Sequence, residues 1–161
     1  NIYGHILCIK AIINMLNPEL LIEYGATVKT FKEGEVIFAE GDDCHFFYQL
    51  IKGSVKWTNY DTEGGEMIQE FISEGSSFGE LPLFDDLPYA ATAISDSSSE
   101  VFRLPKEKFD KLIEENPQEL KKLTQLFVKR LRFKFTYSAT RILGPSSRSH
   151  YITKLSNNSS C

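Results

Sequence analysis

The 161-residue sequence holds only three cysteines, Cys8, Cys44 and Cys161, and no Cys-x-x-Cys pair. An odd number at wide spacing argues against a disulfide framework and for a reducing, cytoplasmic setting. Positive charge is also in short supply, with 18 Lys+Arg against 22 Asp+Glu and a net charge of -4. Nucleic-acid-binding domains carry a basic face, and this balance supplies no such footprint. No apolar run is long enough to span a bilayer, since the candidate from Ile6 to Ile13 is short and interrupted by Lys10. Neither a basic leader nor a small-residue cleavage site flanks it, so neither a membrane anchor nor a signal peptide is expected. The first residue is Asn1, which points to a natural start upstream.

Histidine is equally sparse, with His5, His45 and His150 far apart. A metal centre of the kind β-barrels hold needs several imidazoles converging on one ion, and none is expected here. Cys44-His45 reads as a pair of loop residues, because neighbours on a strand would face opposite ways. The sequence has no Gly-x-Ser-x-Gly, no Walker-type loop and no acid/base constellation. No catalytic residue is identified, and an enzyme is not expected.

What is present fits one domain with a real core and a helical appendage: 42% of residues are hydrophobic, 12% aromatic and 25% charged. Ile9, Ile12, Ile13, Leu16, Leu20 and Leu21 recur at helical spacing, with Asn17-Pro18 as N-cap and first-turn proline between two short helices. The pattern then changes to short runs divided by Gly and Asp. Strands are predicted at Val28–Phe31, Val36–Ala39, Phe46–Lys52, Ser54–Tyr60, Met67–Ile72, Ala91–Ile94 and Glu100–Leu104. Such spacing indicates a sandwich or barrel. After Leu104, Pro105 fits the first position of a helix whose apolar face is Phe109, Leu112 and Ile113. Asn116-Pro117 ends it and begins another, carrying Leu120, Leu123, Leu126, Phe127 and Leu131. This stripe is expected to cover the β-region as far as Leu131. Gly144-Pro145 breaks any continuation.

Several motifs add to this pattern: Ile37-Phe-Ala-Glu-Gly41-Asp42, Phe46-Phe-Tyr-Gln-Leu-Ile-Lys-Gly53, Phe78-Gly79-Glu80-Leu-Pro-Leu83 and Pro88-Tyr89-Ala90-Ala91-Thr92-Ala93. Together they resemble the cyclic nucleotide-binding domain of the catabolite-activator/Fnr (Crp/Fnr) family of transcription regulators. The resemblance implies a mainly β fold with flanking helices: a double-stranded β-helix, or jelly-roll-like β-roll, with short N-terminal helices and two C-terminal ones. The expected segments are 1–26, helical; 27–104, the β-roll; 105–143, the C-terminal helices; and 144–161, a tail with no DNA-binding domain.

The resemblance also implies a ligand site at Phe78, Gly79, Glu80, Leu81, Tyr89 and Ala90. In the family, backbone amides at the Gly-Glu pair bind the cyclic phosphate and the glutamate accepts from the ribose hydroxyl; carried over, Gly79 donates and Glu80 accepts. The alternative is that Gly79 serves only the turn and Glu80 caps the short helix after it. The pattern departs at Tyr89 and Ala90, where the family carries an arginine followed by serine or threonine. Tyrosine offers one neutral donor in place of a bidentate cation, and Pro82 removes a backbone amide. Between Trp57 and Arg103 the sequence has no basic residue, while Asp61, Glu63, Glu66, Glu70, Glu74, Glu80, Asp85, Asp86 and Asp96 are acidic. Cyclic AMP is therefore disfavoured, and Tyr89 is expected to fill the ligand's space. A cyclic nucleotide is implied by resemblance alone, and the cofactor is otherwise unknown.

The expected role is the sensor, effector-binding or dimerisation, of a Crp/Fnr-type regulator with a degenerate pocket. Its partner is a second copy through the C-terminal helix, and DNA is reached only through a domain missing from this sequence. The alternative is a free-standing β-roll that binds a partner protein.

Overall fold

The computed structural model describes residues 14–142. Asn17 caps α1 (Pro18–Glu23): its side chain accepts from the Glu19 amide at 2.9 Å, and Pro18 opens the helix. Eight strands follow: β1 (Thr27–Phe31), β2 (Val36–Phe38), β3 (Phe46–Lys52), β4 (Val55–Tyr60), β5 (Glu66–Ile72), β6 (Ser77–Phe78), β7 (Thr92–Ser95) and β8 (Ser99–Pro105). α2 (Leu81–Asp85) lies between β6 and β7, and α3 (Lys106–Glu115) and α4 (Pro117–Ile142) complete the described chain. The strands form two antiparallel sheets of four, β1-β8-β3-β6 and β2-β7-β4-β5. This is the expected β-roll with flanking helices.

The residues of β3 explain the layering. Tyr48 and Leu50 point between the sheets, into a core shared with Phe31, Phe38, Val55, Ile72 and Phe78. On its other face, Phe47 stacks on Phe109 of α3 with ring centres 4.9 Å apart. Gln49, fully buried beside it, accepts from the Leu16 amide at 2.8 Å and donates to the Leu16 carbonyl at 3.0 Å. The segment before α1 is thereby fastened to the first sheet, and two buried backbone groups are satisfied. β3 has buried residues on both faces, which is why Phe46 to Ile51 reads as a nearly continuous apolar run.

Each of the seven predicted strands forms, with boundaries within one residue of those expected. β6, two residues long, was not predicted, because so short a run carries no period. Pro105 is not the first helical residue: it ends β8 and caps α3 with extended backbone, φ -53° and ψ 141°. The N-terminal helix expected from Ile6 and the break and tail from Gly144 lie outside the described residues.

The chain divides into two compact units, residues 1–119 and 120–161. The first holds the β-roll, α1 to α3 and the first turn of α4. In the second, the described part of α4 exposes Val128, Leu131, Phe133 and Phe135. Leu131 itself is 55% exposed.

Candidate ligand-binding site

β6 brings Phe78 opposite Tyr48 and is followed by Gly79, whose φ of +72° lies in the left-handed region. Conformation is only half of the requirement. A Cβ at this position would come within 2.7 Å of the Phe38 ring and 3.1 Å of the Tyr89 ring. The backbone here lies directly against two aromatic side chains.

Glu80 follows in helical conformation at the N-cap of α2, yet its side chain makes no cap hydrogen bond. The capping alternative is thus not what the geometry holds. Its Oε1 accepts from the buried Ser77 hydroxyl at 2.5 Å, and the residue is 1% exposed. Asp86 closes α2 in the left-handed conformation, φ 57°. Lys106 of α3 pairs with the Asp86 carboxylate and also donates to the Pro82 carbonyl at 3.4 Å. One carboxylate of the acidic stretch, that of Asp86, is therefore met by a cation from the following helix, which a count along the sequence does not reveal.

Tyr89 points inward. It is 5% exposed, its ring lies 3.7 Å from that of Phe38 and is tilted by only 9°, and its hydroxyl donates to Cys44 Sγ at 3.2 Å. Burial, and then the bond to Cys44, push its phenol far above the ordinary tyrosine range. Its backbone is fixed as well: the Tyr89 amide donates to the Asp42 carbonyl at 3.0 Å, and the Gly41 amide donates to the Tyr89 carbonyl at 2.9 Å. Ala90 is exposed, with its carbonyl accepting from Asn59 Nδ2 at 2.8 Å.

Of the six residues singled out in the sequence, Phe78, Gly79 and Tyr89 converge around Phe38. Leu81, 53% exposed, and Ala90 face solvent, and the Glu80 carboxylate is held by Ser77. Sequence reasoning missed Phe38, Cys44, Tyr48 and Arg103. Tyr48 sits within 6.1 Å, centre to centre, of Phe38, Phe46 and Phe78, and burial raises its phenol while the Arg103 charge works against that rise. The signal for these residues was strand register: Arg103 of β8 pairs with Tyr48 of β3, which pairs with Phe78.

The site is chemically an aromatic box closed by two neutral phenols and a thiol. A shallow cavity of about 410 Å³ exists elsewhere, lined by Gly53, Ser54, Phe71, Ile72, Ser73 and Glu74, none of them a cassette residue. Among the described residues, no group of three or more His, Cys, Asp or Glu is placed to hold a metal ion, and no helix is long and apolar enough to cross a membrane.

Comparison with known proteins agrees with the fold. Residues 28–116 match the model of the cyclic nucleotide-binding domain. The cAMP-activated global transcriptional regulator CRP of Haemophilus influenzae is 36% identical over 93 residues, which are 57% of this chain and 42% of that protein. The chain thus spans less than half the length of that relative. Among solved structures, the catabolite activator protein of Thermus thermophilus matches with a TM-score of 0.68 at 26% identity, over 78% of this chain and 60% of that one. The sensor domain of the transcriptional regulator DNR from Pseudomonas aeruginosa matches with a TM-score of 0.62 at 30% identity, over 75% of this chain and 83% of that one.

Proposed function

Because this chain belongs to the cyclic nucleotide-binding domain family, we propose that it is the sensing and dimerisation half of a cytoplasmic Crp/Fnr-type transcription regulator whose cyclic-nucleotide pocket is degenerate. Residues 27–104 form the sensor and residues 105–143 the helices that join two copies. DNA is reached through a domain outside this chain.

The observation that carries the degenerate pocket is the buried stacking of Tyr89 on Phe38 against Gly79, where the family places a cation. A bidentate guanidinium meets the charge and geometry of a cyclic phosphate together. A charge-assisted hydrogen bond contributes about 1.5–3 kcal/mol, so its loss weakens binding by about 10- to 150-fold. Supporting the dimer are Val128, Leu131 and Phe135, which are 53%, 55% and 68% exposed and recur at three- and four-residue intervals along α4. That spacing suits a helix-to-helix seam with a second copy.

Tyr89→Arg combined with Ala90→Ser tests the pocket. Measurable cyclic AMP affinity gained by the folded double variant supports the reading, and unchanged titration contradicts it. Dimerisation is read separately by sedimentation equilibrium. Leu131→Glu with Phe135→Glu is expected to turn a dimer into a monomer; a chain that is monomeric from the outset contradicts the second half of the proposal.

A further inference from the structure

Tyr48 lies opposite both Phe78 and Arg103 across the first sheet, so the three side chains share the face that meets the second sheet. Arg103 is thus a permanent cation placed by β8 on an interior row. Its guanidinium carbon is 4.4 Å from the centre of the Phe46 ring, and its Nε is buried with no hydrogen-bond acceptor among the described residues. The ion pairs of Lys56, Lys106 and Lys111 do not involve Arg103, and no carboxylate lies in ion-pair contact with it among the described residues.

Stacking on Phe46 satisfies the face of the guanidinium but not the Nε–H in its plane. Buried donors without an acceptor are rare in folded proteins, and one on a charged group is the most costly kind. The group that would satisfy it brings oxygens into the guanidinium plane, as an oxyanion does in a two-point contact. The residue as a whole is partly exposed, so the buried Nε edge lies next to atoms that meet solvent.

We infer that Arg103 is the anion-binding residue of this β-roll, taking a small oxyanion, carboxylate or phosphate, on its Nε edge with Phe46 and Tyr48 as the walls. The inference rests on the sensor reading above. It moves charge recognition from the loop around Tyr89 to the framework strand β8.

The test follows the Nε–H resonance of Arg103 in the full chain, assigned through bonds to its own backbone, during titration with sodium acetate and separately with inorganic phosphate. Ionic strength is held constant with chloride. A saturable shift of that resonance is expected, and the salt that produces it identifies the carboxylate or the phosphate as the group accepted. No saturable change with either salt overturns the assignment. A thermal melt of Arg103→Gln gives a second reading: the stabilisation by acetate or phosphate over chloride should vanish, with affinity at least about tenfold weaker. Equal stabilisation of variant and parent overturns the assignment too. If Arg103 fails both tests while dimerisation through α4 persists, only this assignment falls; if dimerisation is also absent, the sensor reading falls with it.

Discussion

The two sheets of the β-roll differ in what covers them. The first, β1-β8-β3-β6, has buried side chains on both faces of its central strands: Tyr48 and Leu50 on one side of β3, Phe47 and Gln49 on the other. The second, β2-β7-β4-β5, buries one face and leaves Val36, Met67 and Phe71 54–60% exposed on its edge strands. One sheet is a structural wall, and the other presents a surface. The difference teaches where substitution is costly, and it places Arg103 within the first sheet while Tyr89 stacks on Phe38 of the second, between the two.

The largest effect is expected between the sheets at Gly79. Gly79→Ala combines a left-handed backbone, about 1–2 kcal/mol, with overpacking against Phe38 and Tyr89, about 1–3 kcal/mol, and should destabilise by about 2–5 kcal/mol in denaturant unfolding. A loss below about 1 kcal/mol would show that the two rings yield freely.

On the outer face of the first sheet, Gln49→Leu removes both hydrogen bonds to Leu16 and leaves a buried amide and carbonyl unpaired. The expected cost is about 2 kcal/mol, measured by chemical denaturation. A neutral result would mean that Leu16 finds other partners, and the outer face would then resemble the exposed sheet.

Alkali probes the interior in a different way. Burial holds the phenols of Tyr48 and Tyr89 above the ordinary value of 10.0, so the folded state keeps protons that the unfolded state releases. Stability is then fully present below the unfolded value and falls as the pH rises beyond it, by up to about 1.4 kcal/mol per pH unit for each phenol. Ultraviolet difference spectra should show these two tyrosines ionising together with unfolding. Ionisation of both in the folded protein near the ordinary value would contradict their burial.

The smallest effect belongs to the second sheet. Phe71→Ser, at a position 56% exposed, should change stability by no more than about 0.5 kcal/mol. A cost comparable to that of Gln49→Leu would mean that this face is covered in solution.

The uneven coverage also governs what the sequence makes legible. The period-two runs and their glycine turns locate seven strands, because each turn interrupts an apolar pattern that has a physical cause. The two-residue β6 has no period to detect, and Pro105 is ambiguous because its fixed φ suits both a strand end and a helix start. At the site, Tyr89 declares itself by replacing an expected cation, but its stacking on Phe38 and its bond to Cys44 join residues 51 and 45 positions away. Only strand register brings Arg103 beside Tyr48, so the apparent lack of basic residues between Trp57 and Arg103 says little about the charge inside the β-roll.

The central claim is that Tyr89 occupies the place where a cyclic phosphate would be met by a cation. Calorimetric titration of the unaltered chain with cyclic AMP tests it most directly. Binding is expected to be too weak to saturate at millimolar nucleotide, and a dissociation constant in the low micromolar range would contradict the account.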